Sequence, residues 1–155
     1  MSDIQIKKIL VPIDGSEASL KAARYAVKIA KQEKAKLVCI HAIGIPVYIT
    51  EYRSPLLLPS YYEAGKKLSE EWFTKVREIA SKEGVNVNTE LIMEVISVVD
   101  AIVSYASEKD FDLIVMGTRG RTGVKRFMLG RLAHCIVSRE KRPQRNPDSS
   151  CYWLS

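Results

Sequence analysis

Residues 8–16 read Lys8-Ile9-Leu10-Val11-Pro12-Ile13-Asp14-Gly15-Ser16. Four of the six residues from Ile9 to Asp14 are apolar and branched, and the run stops at Asp14-Gly15-Ser16. A short continuous apolar run closed by a turn reads as a strand buried on both faces, the kind found inside a parallel sheet. Ser16 offers its hydroxyl as the cap of a following helix, and Glu17 suits that helix's first turn. Leu20, Ala23, Val27 and Ala30 then recur at i, i+3, i+7 and i+10, one face of a helix running to about Lys34.

Outward from this unit the same alternation repeats. Lys36 to Ile43 is a second strand, apolar on both faces. The stretch from Gly44 to Ser60 holds Pro46, Pro55 and Pro59 and reads as a long loop; such loops often serve as lids or contact surfaces. Leu68, Trp72, Val76 and Ile79 set a second helix over about Tyr62 to Lys82, with Gly84 as its stop. Val85, Val87, Thr89, Leu91 and Met93 alternate with wetter positions, which predicts a third strand near a sheet edge. Ser97 and Asp100 have capping-box spacing ahead of a helix striped by Val99, Ile102, Val103 and Ala106. Leu113 to Met116 is a fourth strand, apolar on both faces, and a fourth helix is expected from near Gly130 to about Ser138.

The order βαβαβαβα implies an α/β fold: an open parallel sheet with right-handed crossovers and helices on both faces. Residues 1–138 read as the domain and 139–155 as a polar tail with Pro143 and Pro147. An interior fourth strand needs a neighbour on each side. Another chain, the terminal Cys151-Tyr152-Trp153-Leu154, or an exposed edge must fill that place.

Composition excludes several classes. The chain has 155 residues, 46% hydrophobic and 27% charged, so one domain with its own core is expected and disorder is not. No apolar run approaches the roughly 20 residues of a membrane span, and the N-terminus lacks a signal-peptide pattern, so a cytoplasmic protein is expected. Cys39, Cys135 and Cys151 are odd in number and form no CxxC, and the histidines are only His41 and His134, so no zinc site or disulfide framework can be read. Net charge is +6, which favours anionic partners such as nucleotides. Nucleic acid has no support beyond that charge.

Ligands of open parallel sheets sit beyond the carboxyl ends of strands, where strand order reverses. Asp14 lies at one such end. Two roles are open to it: accepting hydrogen bonds from ribose hydroxyls, or closing the turn into the helix through its own side chain. The loop after strand four opens Gly117-Thr118-Arg119-Gly120 and reaches Gly123 and Gly130, with Arg121, Lys125, Arg126 and Arg131 around them. Glycines let backbone N–H groups approach an anion, and a helix start adds a positive dipole end. That is a phosphate site in outline; the plain alternative is a solvated basic loop. The loop fits neither GxxxxGK[ST] nor GxGxxG. His41 ends strand two, where a partly buried structural side chain is the expected role and the adjacent backbone could read an adenine edge. Cys39 lies inside a strand and should be inert. No catalytic residue can be defended from the spacing. A phosphoryl-accepting receiver domain would need an acidic cluster at strand one, where Asp14 stands alone.

Residues 8–16 resemble the opening strand and turn of the universal stress proteins, and Asp112-Leu113-Ile114-Val115-Met116-Gly117-Thr118-Arg119-Gly120 resembles their fourth strand and its loop. The family pattern of Gly, two residues, Gly, nine residues, Gly, then Ser or Thr is held by Gly117, Gly120 and Gly130. The resemblance covers about Lys7 to Ser138. It implies strand order 3-2-1-4-5, ATP with Mg2+ or Mn2+ between strands one and four, and a homodimer through the fifth strand. By the same resemblance the nucleotide would meet Pro12, Asp14, His41, Ala42, Met116, Gly117, Arg119, Gly120, Gly130, Arg131 and Leu132. Two departures stand out: Arg131 occupies the Ser or Thr position, and the tail replaces the final apolar strand. The function implied is an ATP-binding stress-response regulator with slow or no hydrolysis. Arg131 and the missing final strand motivate the alternative, a protein-interaction module of the same fold that binds no nucleotide.

Overall fold

Alternation along the first strand carries over into two layers of core. β1 (Lys8–Pro12) sends Ile9 and Val11 to one face of the sheet and Leu10 to the other, all fully buried. The structure is a computed structural model and describes residues 5–45 and 58–117, and the backbone alone of 150–154.

β1 pairs in parallel with β2 (Lys36–Gly44) on one side and β4 (Leu113–Gly117) on the other. β3 (Val87–Val95) lies outside β2, and β5 (Ser150–Leu154) lies beside β4, giving the order β3-β2-β1-β4-β5. β5 pairs from Leu113↔Ser150 to Gly117↔Leu154. Of the three ways to cover strand four, the terminal residues of the tail are the one realised. A polar tail therefore ends in a short strand, because the edge of β4 offers backbone groups that a strand can pair.

One face carries α1 (Glu17–Glu33) and α2 (Leu58–Lys82), the other α3 (Val98–Glu108). α1 packs closely through Ala22, Ala23, Ala26 and Ala30, each 2% exposed or less. Ser16 caps α1 as expected, its hydroxyl accepting the Ser19 N–H, and Ser97 does the same for α3 from Asp100.

Three expected boundaries move, each for a physical reason. α2 starts at Leu58 rather than Tyr62, because Pro59 sits in a first turn, where a missing N–H costs nothing. The long loop therefore loses its last residues to a helix, and 46–57 lies outside the described residues. β3 starts at Val87 rather than Val85, because Val85 helps close α2. Its N–H bonds the Ala80 carbonyl at 2.9 Å while Gly84, at φ +71°, bonds Ser81. β3 then runs past Met93 to Val95 through an irregularity opposite Ala42 and Gly44, where Glu94 takes φ +58°. The helix expected from Gly130 to Ser138 lies outside the described residues. Among those described, no helix is long and apolar enough to cross a membrane.

Candidate functional site

The chain steps from β1 to β2 to β3 in one direction, then crosses back to place β4 on the far side of β1. Strand order reverses between β1 and β4, the position at which open parallel sheets form a crevice beyond their strand ends. Pro12 opens that crevice. Successive residues of a strand direct their N–H groups to alternate sides. Ile13 donates to the Ile40 carbonyl of β2 at 2.9 Å, so Pro12 faces β4, and it has no N–H to give. The β1–β4 pairing accordingly covers Ile9↔Leu113 and Leu10↔Ile114, whereas β1–β2 pairing continues to Pro12↔Ile40.

Asp14 follows directly. Its Oδ1 accepts the Ser16 N–H at 3.0 Å, and its own N–H reaches Ser19 Oγ at 3.4 Å. Ser19 Oγ in turn donates to the Ser16 carbonyl at 2.9 Å. Of the two roles open to Asp14, the turn-closing one is realised. A carboxylate has about four lone-pair sites, so closing the turn is compatible with accepting from a ligand as well. Gly15 holds the turn at φ +79°, and a Cβ there would stand 2.2 Å from the Trp72 ring.

His41 is half-buried, with Nδ1 2.7 Å from the Ile13 carbonyl. A carbonyl only accepts, so Nδ1 carries the proton. The imidazole meets Trp72 edge to face, centroids 5.0 Å apart at 88°. The structural role expected for His41 is the one it fills. Ala42, its neighbour, is buried. Cys39 is fully buried, and burial pushes its thiol well above the ordinary range against a small opposing effect of Arg77. That environment disfavours the reactive thiolate, in line with its place inside a strand.

Met116 is buried near the end of β4, and Gly117 is the last residue of that strand. A Cβ on Gly117 would lie 2.6 Å from the Ala18 carbonyl carbon and 2.9 Å from the Ser19 nitrogen. The end of β4 thus rests on the first turn of α1. That contact brings Gly117, the capped start of α1 and the Asp14 turn to one place. Arg119, Gly120, Gly130, Arg131 and Leu132 lie outside the described residues. Among those described, no three His, Cys, Asp or Glu side chains group as metal ligands.

Sequence reading missed Trp72 as part of this site. It enters the pattern only as one position in the apolar stripe of α2, and no local signal links it to Gly15 or His41. Ser19 was equally unmarked, since its partners arise from the turn geometry.

Comparison with known proteins points one way. The family model described as the universal stress protein family matches residues 5–143. A universal stress protein of Methanocaldococcus jannaschii is 36% identical over 149 residues, covering 90% of this chain and 84% of the relative. A solved universal stress protein of Lactobacillus plantarum superposes with a TM-score of 0.73 at 23% identity, covering 97% of each chain. Another, from Archaeoglobus fulgidus and solved in complex with dAMP, has a TM-score of 0.60 at 19% identity, covering 99% of this chain and all of that one.

Proposed function

The chain belongs to the universal stress protein family, and from that premise we propose that it binds an adenine nucleotide in the crevice between β1 and β4. The favoured ligand is ATP, and the protein serves as a cytoplasmic regulator in the stress response. The observation that carries this reading is the β1–β4 pairing that stops short of Pro12, with Asp14 and Gly117 at the strand ends beside it. The Archaeoglobus relative solved with dAMP supports the ligand class. Asp14 supplies an acceptor for ribose, and the basic, glycine-rich sequence after β4 would supply donors and charge for phosphates. Mg2+ or Mn2+ would arrive with the phosphates. Asp14 and His41 both hold the turn, which supports a binding role with slow or no hydrolysis. Family resemblance supports a homodimer through β5.

Calorimetric titration of nucleotide-stripped protein with MgATP tests the reading, together with mass spectrometry of what stripping removes. Micromolar binding is expected, weakened by Asp14→Ala and by Gly120→Val. No binding and no carried nucleotide would overturn it and favour the interaction module that Arg131 suggests. Unchanged affinity in both variants would remove the site assignment.

A further inference from the structure

The turn that carries Asp14 is gripped on both sides by rings from distant parts of the chain. One residue before Asp14, the Ile13 carbonyl takes the His41 Nδ1–H at 2.7 Å. One residue after, Gly15 lies against the Trp72 indole, close enough that a Cβ would stand 2.2 Å from Cε2 and 2.5 Å from Nε1. The two rings brace each other edge to face at 5.0 Å. Trp72 comes from α2 and is 8% exposed, packed in the same core as Val11 and Ile13.

We propose that Trp72 is a positioning residue: with His41 it fixes Ile13 and Gly15, and thereby sets the Asp14 carboxylate where a ribose hydroxyl would meet it. This rests on the nucleotide reading above. Glycine at positive φ is the most permissive joint a turn can have, and ordering it on binding would cost affinity. A ring laid against the joint removes that freedom before the ligand arrives, which is preorganisation. The sequence thus keeps Gly15 for its geometry and uses Trp72 to limit its mobility.

The test compares ATP with 2′,3′-dideoxy-ATP, which lacks the hydroxyls Asp14 would bind. Trp72→Leu is expected to weaken ATP about fivefold, within the range an aromatic contact is worth, and to leave the dideoxy analogue nearly unchanged. Trp72→Phe, which keeps a ring, should retain most of the discrimination. In an Asp14→Ala background, Trp72→Leu should cause no further loss. Equal weakening of both nucleotides in folded Trp72→Leu and Trp72→Phe proteins would mean a structural role alone and would overturn the proposal.

Wild type that binds no nucleotide would refute the underlying reading and the ribose role with it. Hydrogen exchange then decides the grip separately. The Ser16 amide, which donates to Asp14, should exchange faster in folded Trp72→Leu than in wild type while the Leu10 amide is unchanged. Identical Ser16 exchange would show that Trp72 does not hold the turn.

Discussion

β1 has two seams, and they differ. Toward β2 it pairs along its whole length, from Lys8↔Lys36 to Pro12↔Ile40, and Ile13 adds one more bond. Toward β4 the paired residues are Ile9↔Leu113 and Leu10↔Ile114. The amino end of this second seam is pinned by Asp112, whose Oδ2 accepts the N–H groups of Lys7 and Lys8 at 2.9 Å each. Its carboxyl end opens at Pro12. One strand is therefore firmly held on one side and parts from its neighbour on the other, and the candidate site lies where it parts. A proline inside a sheet is ordinarily a defect; here its missing donor falls on the one side where ending the ladder makes room.

The most damaging substitution falls at Gly117. Gly117→Val drives a side chain into the Ala18 and Ser19 backbone, which has no flexible end to yield. A loss of about 3 kcal/mol or more is expected, read as a lowered Tm in thermal unfolding. Gly15→Ala comes next, at about 2 kcal/mol, because it combines positive φ with contact against Trp72. Adding Trp72→Leu should relieve part of that loss, so a double-mutant cycle in denaturant is expected to be non-additive.

Pro12→Val acts on the open seam itself. It restores an N–H facing β4 and should change stability by no more than about 1 kcal/mol. Nucleotide affinity should fall as the seam extends, so Tm and calorimetry are expected to separate. The smallest effect lies far from either seam, at the exposed Arg77–Glu70 pair, 2.7 Å apart. Its hydrogen bond to Arg77 holds the Glu70 carboxyl below the ordinary range. A lowered carboxylate pKa stabilises above the unfolded value and loses that contribution as pH falls through the folded one. Glu70→Gln should therefore shift Tm least of these variants at neutral pH and not at all at pH values below the carboxylate range.

Local pattern made much of this legible. The apolar run at 9–13, the Ser16 and Ser97 caps and the helix stripes depend on neighbours in sequence, and they sit where the sequence puts them. Boundaries moved where one residue served two patterns. Val85 fits the alternation of β3 and also closes α2; Pro59 reads as loop and also suits a first helical turn. β5 was ambiguous because a five-residue strand in a polar tail has no period to count. The positions of Asp14 and Gly117 followed from the rule that ligands sit at strand ends. Their local contacts did not, because Asp14–Ser16 closure and the packing of Gly117 on Ala18 depend on how β1, β4 and α1 converge. Trp72 was legible as core and illegible as a support for the turn.

At the opposite end of the sheet lies a groove of about 480 Å3 whose lining includes Lys34 and Lys36 together with Lys31, the last paired with Glu83 at 3.0 Å. Hydrogen exchange with and without MgATP distinguishes the two ends directly. Nucleotide bound where β1 and β4 part would slow exchange over residues 14–19 and at Gly117 and leave Ala35 and Asn86 unchanged. Slowed exchange confined to the amino end, or no change at either, would contradict the placing of the nucleotide where β1 and β4 part.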